Sequence, residues 1–292
     1  MWPTMLFVPG SDERKLAKIG TLGAEALLLD LEDGVAPSAK ALAREQVARS
    51  LQSAPPGLHV WVRVNAADSP DLYDDLHAVI QPGVEGINLP KVESPDELRR
   101  VDWLIGELER RRGVAPGGIQ LMATLETVRG VRAADAIAAA SPRVVGLCFG
   151  AADYSRDLGL AWPPPDGQLS LAVLHAKVAL VEASALAGLE PPHDGASGNF
   201  RDLERLRSEA EAARALGFSG KHAIHPAQLP VIEDVFAPSA AELEWARRVS
   251  EGYEVHAAEG TGAFALEGTM VDAPVAARAR ALLRRALRQA SR

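Results

Sequence analysis

Charged side chains in this sequence gather just beyond short apolar runs. Glu32 and Asp33 follow Ala26–Leu31, Arg63 and Asn65 stand at the end of His59–Val64, and Lys91 and Glu93 follow Gly86–Leu89. Glu126 follows Ile119–Leu125, and Asp153 lies shortly after Val144–Phe149. Carboxylates drawn from separate segments are the oxygen donors a hard divalent cation takes. Mg2+ needs only one or two of them, because water and substrate oxygens complete its octahedron. Glu126 and Asp153, with Glu32 and Asp33 nearby, make such a set, whereas no Cys or His cluster of zinc type is present. Arg63 adds a planar fork that matches a carboxylate. Strand alternation predicts Arg63 and Asn65 on one face, and Lys91 and Glu93 on another. Arg63, Glu32 and Asp33 are therefore candidate catalytic groups, and Arg63, Glu126, Lys91 and Asn65 candidate substrate contacts.

Each of these residues also has a plainer reading. Asp30 lies deep in its run and reads as structural. Glu32, Asp33 and Lys91 read equally as solvated loop residues, and Asp153 and Glu126 as carboxylates at helix starts. His225, ahead of Pro226, reads as a structural histidine and Gly10 as a turn residue. Cys148 lies in an apolar run and reads as inert core.

The elements that must position these groups alternate. Met5–Val8, Ala26–Leu31, His59–Val64, Gly86–Leu89, Ile119–Leu125, Val144–Phe149 and Lys221–Ile224 read as strands, with a weaker run near Glu190–His193. Several are apolar on both faces, as buried parallel strands are. Helix signals fill the gaps: a cap and two acids at Ser11–Glu13, capping boxes at Ser94–Glu97 and Ser239–Glu242, and helix-ending Gly188 and Gly217. Eight β-α units close a (β/α)8 TIM barrel by about residue 232, and such barrels carry catalytic groups at the C-terminal ends of their strands. Residues 233–292 remain as a C-terminal helical extension, with a glycine-bearing stretch at Gly260–Gly268 and a basic last helix at Pro274–Arg288.

The length of 292 residues fits one such barrel plus the extension, since a barrel takes about 250. Thirty-nine acidic residues against 31 basic ones, with no basic stripe, argue against nucleic acid as a partner. No apolar run approaches the roughly 18 residues of a membrane helix. One cysteine and no leader pattern at the N-terminus point to the cytoplasm.

The segments Leu6–Ser11, Leu29–Asp33, Val62–Asn65, Leu89–Glu93, Leu125–Thr127, Phe149–Tyr154 with Asp157–Gly159, Gly220–Pro226, Phe236–Ser239 and Met270–Pro274 occur in an order that resembles the HpcH/HpaI aldolase family, in its citrate lyase β-subunit-like branch. The resemblance implies Mg2+, replaceable by Mn2+, on Glu126 and Asp153, with Arg63 gripping the carboxylate of an oxo acid. It implies a carbon–carbon lyase acting on an acyl-CoA thioester such as malyl-CoA, citramalyl-CoA or a citryl thioester, in a homotrimer or hexamer whose C-terminal extension packs on a neighbouring subunit. There Asp272 reaches a neighbour's site as an acid–base group, a role compatible with capping the last helix. Two alternatives stay open: a malyl-CoA thioesterase or malate synthase-like enzyme, and the β subunit of a multi-subunit citrate lyase that uses an acyl-carrier protein. His193–Phe200 stands where the family pattern leads one to expect an acidic stretch, which leaves the substrate open.

Overall fold

The computed structural model describes residues 2–165 and 167–290, without the side chains of 285 and 288–290. Eight strands form a closed barrel in chain order: β1 Thr4–Pro9, β2 Ala26–Asp30, β3 His59–Arg63, β4 Gly86–Leu89, β5 Gln120–Leu125, β6 Val144–Phe149, β7 His193–Asp194 and β8 Gly220–Ala223. Neighbours pair in parallel, and β8 returns to β1. Among the described residues ten α-helices accompany this unit: α1 Glu13–Leu16, α2 Lys40–Ser53, α3 Leu72–Val79, α4 Pro95–Arg112, α5 Val128–Arg132, α6 Ala134–Ala138, α7 Ala151–Asp157, α8 Leu171–Leu186, α9 Leu203–Leu216 and α10 Leu229–Phe236. The expected TIM barrel is therefore present.

The strands are apolar on both sides because each side is buried differently. Leu27, Leu29, Val60, Val62, Ile87, Leu121 and Leu147 face the helical layer and join its large core. Ala26, Leu28, Trp61, Met122 and Cys148 form a smaller core inside the barrel. A Cβ on Gly86 would meet the Trp61 indole at 2.5 Å, so glycine makes room for the largest ring of that inner layer. Burying one large aromatic side chain contributes roughly 1.5–3 kcal/mol. The inward register that begins with Ala26, Leu28 and Trp61 runs on to Asp30 and Arg63. In the same way Met122 leads to Thr124 and Glu126. Apolar residues plug the barrel below, and polar ones crown it.

Local signals behave mostly as their chemistry dictates. Asp12, rather than Ser11, caps α1. Ser94 accepts from the Glu97 amide at 3.4 Å, but the Glu97 carboxylate bonds the Glu93 amide at 2.8 Å, one residue before the cap, so the expected box is displaced. Strand β7 has only two residues and starts later than the run near Glu190 suggests.

The chain divides into two compact units, Met1–Phe236 and Ala237–Arg292. The division falls after α10, because residue 232 lies inside that helix. The second unit contains α11 Ala240–Ala258, a hairpin of β9 Phe264–Leu266 and β10 Thr269–Val271, and α12 Ala273–Ala290. Ser239 and Glu242 form the expected box at its start, with bonds of 3.2 and 2.8 Å. Glu267 and Gly268, at φ 52° and 81°, make the tight turn that a two-residue hairpin requires. Ala246, Val249, Val271, Ala276 and Ala279 are the core of this unit.

Candidate active site

A cavity of about 710 Å³ opens at the C-terminal ends of the barrel strands, walled by Phe7, Phe149 and Trp162 among others. Asp30, Arg63, Asn88, Thr124, Glu126 and Asp153 all line it, although they come from four different strands, the turn after β5 and a helix.

Asp30 and Arg63 are paired by register, being opposite each other on β2 and β3. The guanidinium donates from Nε and Nη2 to the two Asp30 oxygens, both at 2.7 Å. The same carboxylate accepts from the Glu32 amide at 3.0 Å and the Gly34 amide at 2.9 Å, so one buried group holds both the arginine and the turn after β2. Of five guanidinium N–H groups, the side-on fork is thus occupied by Asp30, while Nη1 on the far edge faces the Glu32 carboxylate. Burial opposes the Arg63 charge, but Asp30, Glu32 and Glu126 together raise its pKa, and the cation is secure.

Glu32 is buried against two cations. Lys91 Nζ bonds Glu32 Oε1 and lies 3.2 Å from each Asp33 oxygen. Arg63 Nη1 is 2.9 Å from Glu32 Oε2, yet that oxygen has no aligned hydrogen bond. The contact is an ion pair, and the oxygen stays open to a donor. For Lys91, burial works against the charge, and the bond to Glu32 followed by the charges of Glu32 and Asp33 more than restores it.

Glu126 sits just past β5. Its Oε1 accepts from the Lys91 backbone amide at 2.9 Å. Burial, then the charges of Glu32 and Asp153, push its pKa up to about 8. Asp153 lies in the first turn of α7 and pairs with exposed Arg156 at 2.8 Å. A buried carboxylate beside a second carboxylate is a donor pair whose charge a divalent cation would offset. Among the described residues no three His, Cys, Asp or Glu side chains converge as a metal cluster. Two protein carboxylates suit Mg2+, which keeps several waters, better than a metal needing a full protein cage. Gly150 belongs to this arrangement: a Cβ there would lie 2.1 Å from Glu126 Oε2 and 2.5 Å from its Cβ.

Asn65 is a correction. Strand β3 ends at Arg63, and beyond it alternation no longer governs side-chain direction. Asn65 donates to Leu31 O at 3.0 Å and Asp75 Oδ2 at 2.6 Å, and accepts from Lys40 Nζ at 2.6 Å. It is buried in these bonds and, unlike the expected substrate contact, does not line the cavity. The pairing of Lys91 with Glu93 fails for a similar reason, because Lys91 has φ 52° and breaks the alternation. His225 caps the turn at Pro226 through Nδ1 and stacks on Phe200. Asp272 lies in the second unit, where its carboxylate accepts from the Val275 amide at 3.2 Å as a helix cap.

The cavity also has members the residue types did not announce. Asn88 and Thr124 bond each other at 3.0 and 3.1 Å, and the inward register would have found both. His222 and Cys148 lie beside them, with Nδ1 and Sγ 3.6 Å apart. Burial and then Arg63 drive the His222 pKa down to about 3, so the ring is neutral. Lys177 and Lys221 clasp buried Asp194 at 2.6 and 2.7 Å and hold its pKa down at about 2 against burial. That cluster anchors the loop after β7, which has no acidic stretch. Asp194, Gly195 and Ala196 line the cavity.

The family model described as HpcH/HpaI aldolase/citrate lyase matches residues 3–226, which is the barrel and its polar crown. The chain belongs to that family. Among curated relatives, citrate lyase subunit beta of Escherichia coli (strain K12) is 36% identical over 286 residues, covering 97% of this chain and 92% of that protein. The L-malyl-CoA/beta-methylmalyl-CoA lyase of Rhodobacter capsulatus is 34% identical and covers 96% and 93%. Among solved structures, protein CitE from Mycobacterium tuberculosis in complex with magnesium, acetoacetate and coenzyme A has 34% identity, a TM-score of 0.80 and 98% coverage of both chains. As a member of this aldolase and lyase family, the chain is an enzyme of the lyase class.

Proposed function

We propose that this enzyme breaks, or in reverse forms, the carbon–carbon bond of a hydroxyacyl-CoA thioester, giving acetyl-CoA and an oxo acid, with Mg2+ held by Glu126 and Asp153. The observation that carries the reading is the polarity of one cavity. Two carboxylates and a guanidinium fixed by Asp30 line the same cavity, a set that suits a hydroxy acid with a metal-bound hydroxyl and a carboxylate. The named solved relative holds magnesium, an oxo acid and coenzyme A together, and the named malyl-CoA lyase acts on a thioester of this type.

When bound, the cation supplies Lewis acidity at the oxygens of the hydroxy acid, worth several kcal/mol of transition-state charge. Arg63 orients the substrate carboxylate through N–H groups not bonded to Asp30, and Asp30 stops the guanidinium from swinging. The hydroxyl proton leaves to a base, the carbon–carbon electron pair passes into the thioester enolate, and the oxo acid forms. A proton returned to the enolate carbon gives acetyl-CoA. Thioester hydrolysis by a thioesterase is a rival, and so is a citryl thioester on an acyl-carrier protein, which the likeness to citrate lyase subunit beta favours.

A panel of malyl-, citramalyl- and citryl-CoA with Mg2+ decides among these. Equal amounts of acetyl-CoA and oxo acid are expected. Free CoA without an oxo acid would indicate hydrolysis, and turnover confined to carrier-protein thioesters would indicate the subunit reading.

The extension and Asp272 belong to the same proposal: a cytoplasmic trimer or hexamer in which Asp272 serves a neighbour's site. No described helix is long and apolar enough to cross a membrane. Mixing Asp272→Asn subunits with Glu126→Ala subunits should then restore part of the activity that each lacks alone. Asparagine can still accept the Val275 amide, so stability should hold while proton transfer falls by roughly 10²–10⁴-fold. Full activity of Asp272→Asn alone would reduce the residue to a cap.

A further inference from the structure

Among the described residues, two outside glycine have positive φ. Glu267 sits in a hairpin turn, but Lys91 sits in the active site at φ 52°. A lysine in the left-handed region is strained, and such strain persists only where the surroundings hold it. Here they do. Strand β4 ends at Leu89, and three residues later Val92, fully buried, donates its amide to Thr124 O at 3.2 Å. Gly130 leaves room for the Val92 carbonyl, which a Cβ would meet at 2.2 Å. With both flanks anchored, the left-handed step at Lys91 turns its own amide onto Glu126 Oε1 at 2.9 Å, while its side chain reaches back to Glu32 and Asp33.

We infer that Lys91 is a positioning residue whose left-handed backbone aims its amide at Glu126 and so fixes the carboxylate that binds the divalent cation. The inference rests on the reading of Glu126 as a metal ligand. It makes the backbone of Lys91 matter to the metal separately from its charge. Glycine and asparagine tolerate the left-handed region, and alanine and glutamine do not tolerate it as well. Lys91→Gly compared with Lys91→Ala, and Lys91→Asn compared with Lys91→Gln, therefore differ in backbone tolerance at constant charge.

Isothermal titration with Mg2+ alone, on protein whose melting temperature shows it folded, is the test. In each pair the tolerant variant should bind Mg2+ about fivefold tighter than its partner. A merely structural turn would shift melting temperatures and leave the Mg2+ dissociation constants equal within each pair, which would overturn the inference. The two pairs are independent, so one variant that fails to fold still leaves a comparison. Glu126→Gln separates the two claims. If it binds Mg2+ like the wild type, the metal assignment itself falls. If it loses Mg2+ while the Lys91 pairs stay equal, the inference alone falls.

Discussion

Glu126→Gln will reduce Mg2+-dependent turnover by at least about a thousandfold and leave the barrel folded. The substitution keeps the shape and the acceptor for the Lys91 amide but removes a charged oxygen ligand. Losing about 4 kcal/mol of metal-dependent stabilisation corresponds to a factor of roughly 10³. The metal-free variant should also be the more stable protein. Burial, with Glu32 and Asp153, raises the native pKa of Glu126 from 4.5 to about 8, so folding must retain a proton that the unfolded chain has released. The stability this group contributes is present below about pH 4.5 and is lost as pH rises through about 8. The melting-temperature gain of Gln over Glu should therefore grow across that interval. Retained Mg2+-dependent activity in the glutamine variant would sink the assignment.

Arg63→Lys should lower kcat/KM by about a hundredfold, although the charge is kept. The side-on fork holds Asp30 with two bonds of 2.7 Å, and a single ammonium cannot reproduce both of those and the substrate contact. Losing charge-assisted hydrogen bonds of about 1.5–3 kcal/mol gives a drop of this order. Some stability should go with it, because buried Asp30 loses an aligned partner. Steady-state kinetics at saturating Mg2+ are the check, and near-normal kcat/KM would show that the guanidinium does not grip the substrate.

Much of this site is legible in the sequence because a parallel barrel imposes two simple rules. Its strands are apolar throughout, and its chemistry lies at their ends. Glu126, Asp153, Glu32, Asp33 and Arg63 emerge from those rules, and the structure gathers Arg63, Glu126 and Asp153 around one cavity, with Glu32 and Asp33 tied to it through Lys91. What stays hidden is direction after a strand stops. Asn65 and Lys91 are each only two residues past a strand end, and there hydrogen bonds to Asp75 and Glu126, rather than alternation, decide where atoms point. Asp30 hides for the opposite reason. Depth in a strand suggests structure, and its role is structural, yet what it supports is the arginine. The hairpin at Phe264–Val271 is three residues a side and too short for a periodic pattern to show.

The single cysteine has a practical consequence. Cys148 is buried inside the barrel, and burial, then the charges of Glu126 and Asp194, push its thiol pKa well up, so almost no thiolate exists at neutral pH. Reagents that seek thiolates will pass it by. The native protein can therefore serve as its own cysteine-free background. A cysteine placed at exposed Trp103 on α4 would carry a dye or spin label at one defined site, with every active-site residue left untouched.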